Sequence, residues 1–132
     1  MRKPLGNKYV ENLQTIAQHL LKRRMELGLT QKKAAKMIGV CEDTFRFWET
    51  GRVEPFITYY PKIIAFLGYV PFSINTNTLA GKIFSYRILN GLSQEALATK
   101  VGLDESTIVE LEKGEQRPFK RTLEKLRHIV RL

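Results

Sequence analysis

GLTQKKAAKMIGVCEDTFRFWETG at residues 28–51 and GLSQEALATKVGLDESTIVELEKG at residues 91–114 decide the fold of this 132-residue chain. Laid over one another at an offset of 63 residues, the two stretches align without a gap. Gly28-Leu29-Thr30-Gln31 falls on Gly91-Leu92-Ser93-Gln94, Ala35 on Ala98, Gly39 on Gly102 and Thr44 on Thr107. Glu49 falls on Glu112 and Gly51 on Gly114. The register continues outside the quoted stretches, with Thr15 on Thr78, Arg24 on Arg87 and Pro55-Phe56 on Pro118-Phe119. Chance does not keep this many Gly, Pro and polar positions aligned, so the chain is an internal duplication.

Each copy reads as four or five short helices. Thr15 can cap the first, whose apolar positions Ile16, Ala17, Leu20 and Leu27 share a face. Lys22, Arg23 and Arg24 fill its last turn before Gly28, which suits the negative end of the helix dipole. Thr30 caps a second helix from Gln31 to about Ile38, stopped by Gly39. A third runs from about Glu42 to Thr50 and closes at Gly51. The segment Phe56 to Tyr60 reads as a short helix, and Pro61 suits the first turn of another, ending at Leu67. The second copy repeats the plan with helices from Thr78 to about Leu89, Gln94 to Val101 and Glu105 to about Lys113. A basic helix from about Lys120 ends it. These readings divide the chain into a basic arm at 1–13, a first domain at 14–67, a linker at 68–77 and a second domain at 78–132. The linker holds Pro71 and a polar Ser-Ile-Asn-Thr-Asn run.

Two helices that cross steeply over a tight turn need a small residue at the crossing, a Gly in the turn and apolar residues that lock the later helix down. Ala35, Gly39, Val40, Phe45 and Trp48 supply these in order, and Ala98, Gly102, Leu103, Ile108 and Leu111 supply them again. On these residues both copies resemble the Cro/phage-repressor type of helix-turn-helix domain, the XRE family. The resemblance covers about Thr15 to Leu67 and Thr78 to Val130. It implies an all-α fold of two tandem lambda-repressor-like five-helix domains, a transcription-regulatory role and double-stranded DNA as partner. It also implies two partly buried salt bridges, Arg24 with Glu49 and Arg87 with Glu112, tying the first helix of each copy to the third.

The resemblance places base-edge contacts at Glu42, Asp43 and Phe47, and in the second copy at Glu105, Ser106 and Glu110. It places phosphate contacts at Thr30 and Gln31, or Ser93 and Gln94, where a helix N-terminus offers free N–H groups. Arg46 and Thr50, and in the second copy Thr107 and Val109, complete the third-helix set. Lys32, Lys33 and Lys36, with Arg46 and Arg52, could hold phosphates in the first copy. Lys113, Arg117, Lys120 and Arg121 could do so in the second, which would make binding steeply salt-dependent. Arg2, Lys3 and Lys8 read either as a minor-groove arm or as a disordered tail. The acids are the departure, because base edges are usually read by Arg, Gln, Asn or Lys. Glu42, Asp43, Glu105 and Glu110 serve the helix dipole equally well. Phe47 faces outward, to meet a thymine methyl or a protein surface. The other aromatics, Phe56 and Tyr60 among them, read mostly as core or as a seal against the linker.

The bulk numbers agree with an anionic partner: 22 Lys and Arg oppose 13 acids, giving a net charge of +9. An apolar fraction of 43% is that of a folded protein. No apolar run approaches the roughly 18 residues of a membrane span. Met1 to Gly6 is basic without the apolar stretch of a signal peptide, so no membrane partner and a cytoplasmic location are expected. One cysteine, Cys41, allows no internal disulfide, and His19 and His128 lack ligand spacing, so neither metal nor cofactor is expected. No nucleophile–base pair appears, which sets an enzyme aside. The leading function is sequence-specific transcriptional regulation. Its rival is a protein-interaction or dimerisation module, adaptor or antitoxin-like, with weak or lost DNA readout. Homodimer formation stays open. A linker of about ten residues spans at most ~33 Å, against ~34 Å between half-sites on one DNA face. One copy is therefore expected to dominate binding, the second, through Lys113, Arg117 and Arg121.

Overall fold

The computed structural model describes Leu13, residues 15–115 and residues 117–130, all of whose regular elements are helical. The expected arm contacts Arg2, Lys3 and Lys8 lie outside the described residues. The chain divides into two units. One takes the described residues up to Phe56 together with Lys62–Pro71, and the other takes Ile57–Pro61 with the residues from Phe72 onward.

The sequence's first half forms α1 (Ile16–Leu27), α2 (Gln31–Ile38), α3 (Glu42–Glu49), a 3-10 turn at Ile57–Tyr59 and α4 (Tyr60–Leu67). The second half forms α5 (Leu79–Asn90), α6 (Gln94–Val101), α7 (Glu105–Lys113) and α8 (Lys120–Arg127). Hydroxyl caps start four of these. Thr15, Thr30, Thr78 and Ser93 each accept the backbone N–H three residues on, at 3.0 to 3.1 Å. Gly39 and Gly102 end α2 and α6 at φ 96° and 77°, a left-handed conformation that bulkier residues resist. The next residue then returns its N–H to the helix, Val40 to the Ala35 carbonyl and Leu103 to that of Ala98.

Burial follows the 63-residue register. Leu20 and Ile83, Ala35 and Ala98, Ile38 and Val101, and Phe45 and Ile108 are buried as matched pairs. Trp48 and Leu111, Ile63 and Leu126, and Leu67 and Val130 continue the pattern. In the first unit the Phe45 ring meets Phe66 edge-on at 6.3 Å between centroids.

The halves part at their ends. α8 opens at Lys120, but the matching stretch from Ile57 turns as a 3-10 helix and the α-helix waits until Tyr60. Pro61 explains the delay, because it has no N–H to return to the Ile57 carbonyl. Glu124 stands at that place in α8. The expected short helix at Phe56 to Tyr60 is thus a single 3-10 turn. The polar run before α5 is built rather than slack. The Asn75 side chain accepts the Asn77 N–H at 3.0 Å, and the Thr78 hydroxyl donates to the Asn75 carbonyl at 2.9 Å. A Cβ at Gly81 would collide with that carbonyl. The first half answers the same position with Gln18, whose side chain accepts the Thr15 N–H to complete a capping box.

Candidate nucleic-acid interface

α2 with α3, and α6 with α7, each form two eight- or nine-residue helices joined through a single glycine turn. What holds each pair to the preceding helix is one charged knot. Arg24 donates from Nε to Glu49 Oε2 at 2.6 Å and from Nη2 to Oε1 at 3.1 Å. Its Nη1 donates to the Leu29 carbonyl at 3.0 Å, reaching the turn before α2. Arg87 repeats the set on Glu112 at 2.5 and 2.9 Å and on the Leu92 carbonyl at 3.1 Å. The Glu49 side chain is 4% exposed and that of Glu112 12%. A carboxylate so deep needs every donor it can find.

Sequence reasoning missed the third donor. Gln31 Nε2 donates to Glu49 Oε1 at 2.8 Å, and Gln94 Nε2 to Glu112 Oε1 at 3.1 Å. Both glutamines were expected at phosphates. Each instead turns its amide inward, leaving its backbone N–H at the helix start as the group that can meet an anion. The repeat of Gln at the same register was the available signal. Thr30 and Ser93 are exposed caps beside them, and Lys32 is exposed one residue on.

In the first unit the outer face of α3 is a connected cluster. Glu42 and Asp43 are exposed in the first turn, and Arg46 Nη2 meets Asp43 Oδ1 at 2.9 Å. The Phe47 ring is half-buried, not fully outward as expected. The guanidinium carbons of Arg46 and Arg52 each lie 5.3 Å from its centroid. This cation–π contact stiffens both arginines, and Arg46 is held in addition by Asp43. Thr50 donates its hydroxyl back to the Arg46 and Phe47 carbonyls at 2.9 and 3.3 Å, so it ends the helix rather than reaching outward.

In the second unit the matching face differs. Glu105 and Ser106 are exposed, Thr107 and Val109 are half-buried, and Glu110 meets Lys113 at 3.4 Å. Ser106, Thr107, Glu110 and Arg117 share a cleft of about 200 Å³ with Pro118 and Phe119. Phe119 is 80% exposed, and Phe56 at the matching place is 77% exposed, against the expectation that Phe56 belongs to a core or seal. The adjacent Pro-Phe pairs were legible, but nothing in their pattern told inside from outside.

Among the described residues no helix is long and apolar enough to cross a membrane. No curated protein and no solved structure matches the chain. Residues 83–129, which run from within α5 through α8, match the family model described as helix-turn-helix.

Proposed function

We propose that this protein is a sequence-specific DNA-binding transcriptional regulator, built from tandem helix-turn-helix domains at 14–67 and 78–132. The observation that carries the reading is the repeated knot of Arg, Glu and Gln. It fixes the start of α2 to α3, and of α6 to α7, so within each half two helix N-termini stand at a set spacing for a duplex. The match at residues 83–129 and the net charge of +9 support the same partner.

The exposed cations favour the first half as the main phosphate site, where the sequence alone favoured the second. Lys32, Lys33 and Lys36 stand exposed along α2, with Arg46 and Arg52 braced on Phe47. Lys113, on which the opposite expectation leaned, is paired with Glu110 beside the exposed Glu115. Glu105, Glu110 and Glu115 favour a second reading for the second half alone, as a surface for a basic protein partner. A mobility shift on the DNA upstream of the protein's own gene, at two salt concentrations, tests the main reading. A discrete complex that weakens steeply with salt is expected. No complex even at low salt would transfer the assignment to the protein-interaction module.

A further inference from the structure

Phe119 breaks three local rules at once. Its ring is left in water, although burial is what an aromatic side chain contributes to folding. It is the N-cap of α8, where Ser, Thr, Asp or Asn would bond the first N–H groups, and it makes no side-chain cap bond. Two exposed cations, Lys120 and Arg121, follow in the first turn, at the positive end of the helix dipole. Residues that break local folding rules are expected first where function sets them. The other half repeats the ring in the open, at Phe56 after Pro55, although the positions around it have changed: Arg46 matches Val109, Phe47 matches Glu110 and Arg52 matches Glu115.

An exposed apolar ring flanked by Arg117, Lys120 and Arg121, with Glu110 across the cleft, fits a partner that is anionic outside and flat and apolar within. A DNA duplex is such a partner, with phosphates over stacked bases. The cleft puts Phe119 beside Ser106 and Glu110 on the outer face of α7, the helix of the helix-turn-helix unit that would approach DNA. We infer that Phe119 is a wedge that enters the duplex next to the segment approached by α7, unstacks a base step and bends the DNA. Arg117, Lys120 and Arg121 hold the flanking phosphates, whereas Glu54, Ile57 and Thr58 stand at the matching places around Phe56, so the wedge belongs to the second half. Pyrimidine–purine steps, which unstack most readily, are the preferred entry points. This rests on the DNA reading above and adds to it a deformation that the fold does not itself require.

The test uses the full chain and a short end-labelled duplex with 2-aminopurine beside a central TA step. Binding should shorten the end-to-end distance read by energy transfer and raise the 2-aminopurine fluorescence. Phe119→Ala should abolish both signals and weaken binding roughly tenfold, the scale of one missing base–aromatic stack, with an unchanged melting temperature. Phe119→Leu should keep part of the bend. Duplex binding that Phe119→Ala leaves equally bent would overturn the wedge while sparing the DNA reading. Absence of duplex binding by the unaltered protein would overturn both. A loss on Phe119→Ala of self-association, or of binding to phosphatidylglycerol vesicles, with duplex bending intact, would assign the ring to a second copy or to a lipid surface and also refute the wedge. A fall in melting temperature would make the ring structural and refute it too.

Discussion

The two halves of this chain keep one interior and wear two different surfaces. Eight matched positions are buried in both, Ala34 and Leu97 among them, and the Arg–Glu–Gln knot recurs bond for bond. Outside, Lys32, Lys33 and Lys36 become Glu95, Ala96 and Thr99, and the Arg46–Phe47–Arg52 cluster becomes Val109, Glu110 and Glu115. Residues 15–67 carry nine Lys and Arg against five acids, while residues 78–130 carry nine against seven. The family match falls on the half with the more acidic face. A fold signature and a binding chemistry are thus written in different residues, and in this chain they have separated.

The largest expected effect probes what the halves share. Glu49→Ala strands Arg24 and Gln31, and removal of one member of a buried pair costs about 3–5 kcal/mol. Trp48, the sole tryptophan, is buried next to Glu49, so its fluorescence follows the first unit alone during urea unfolding. Glu112→Ala should leave that Trp48 transition in place and destabilise the second unit by a similar amount, because Glu49 lies deeper than Glu112 (4% against 12% exposed) while Arg24 lies shallower than Arg87 (13% against 9%). A clearly smaller loss for Glu112→Ala would mean that the depth of the carboxylate alone sets the cost.

The next effect probes what they do not share. Replacing Lys32, Lys33 and Lys36 together by Gln should weaken duplex binding more than replacing Lys113, Arg117 and Arg121. It should also flatten the salt dependence by about 0.9 for each phosphate no longer neutralised. The opposite ranking, read by fluorescence anisotropy at several salt concentrations, would restore the second half as the main site.

The smallest effect concerns pH. His19 Nδ1 lies 2.7 Å from the Tyr69 hydroxyl in the first unit. Burial, and then the nearby Lys22 charge, lower the His19 pKa below its ordinary 6.5. The unfolded chain therefore takes up a proton that the folded unit refuses. The stability His19 contributes is fully present above about 6.5 and is lost as pH falls from there through the lowered folded value. Urea midpoints of the Trp48 transition should decline across that window. His19→Gln should remove the decline, and a persistent slope in that variant would point to another group.

Much of the fold was legible because its cues are local. A hydroxyl before each helix and a glycine after it set α1, α2, α5 and α6 to within a residue or two, and the apolar spacing gave the buried positions. The salt bridges were reachable only through resemblance, since no local rule links residues 25 apart. The helix read from Pro61 to Leu67, with the proline in its first turn, is α4, which starts one residue earlier at Tyr60. The inward turn of Gln31 and Gln94, the guanidinium pair on Phe47 and the exposed rings of Phe56 and Phe119 were not legible. Each depends on which side chain a carboxylate or a solvent boundary happens to face after packing.

The knot has one more consequence. Because the same three side chains and the same leucine carbonyl close it in both halves, the block from Thr30 to Thr50 is a cassette whose socket exists twice. Grafted in place of residues 93–113, it would bring Glu49 and Gln31 to Arg87 with no charge left over, and Phe45 and Trp48 would take the places of Ile108 and Leu111. The larger rings would ask the neighbouring core to yield, but the electrostatic plug would fit. A repeat wired this way lets a helix pair be exchanged between sockets while its anchor stays fixed, so the outer face of either half can drift, or be redesigned, without rebuilding the joint beneath it.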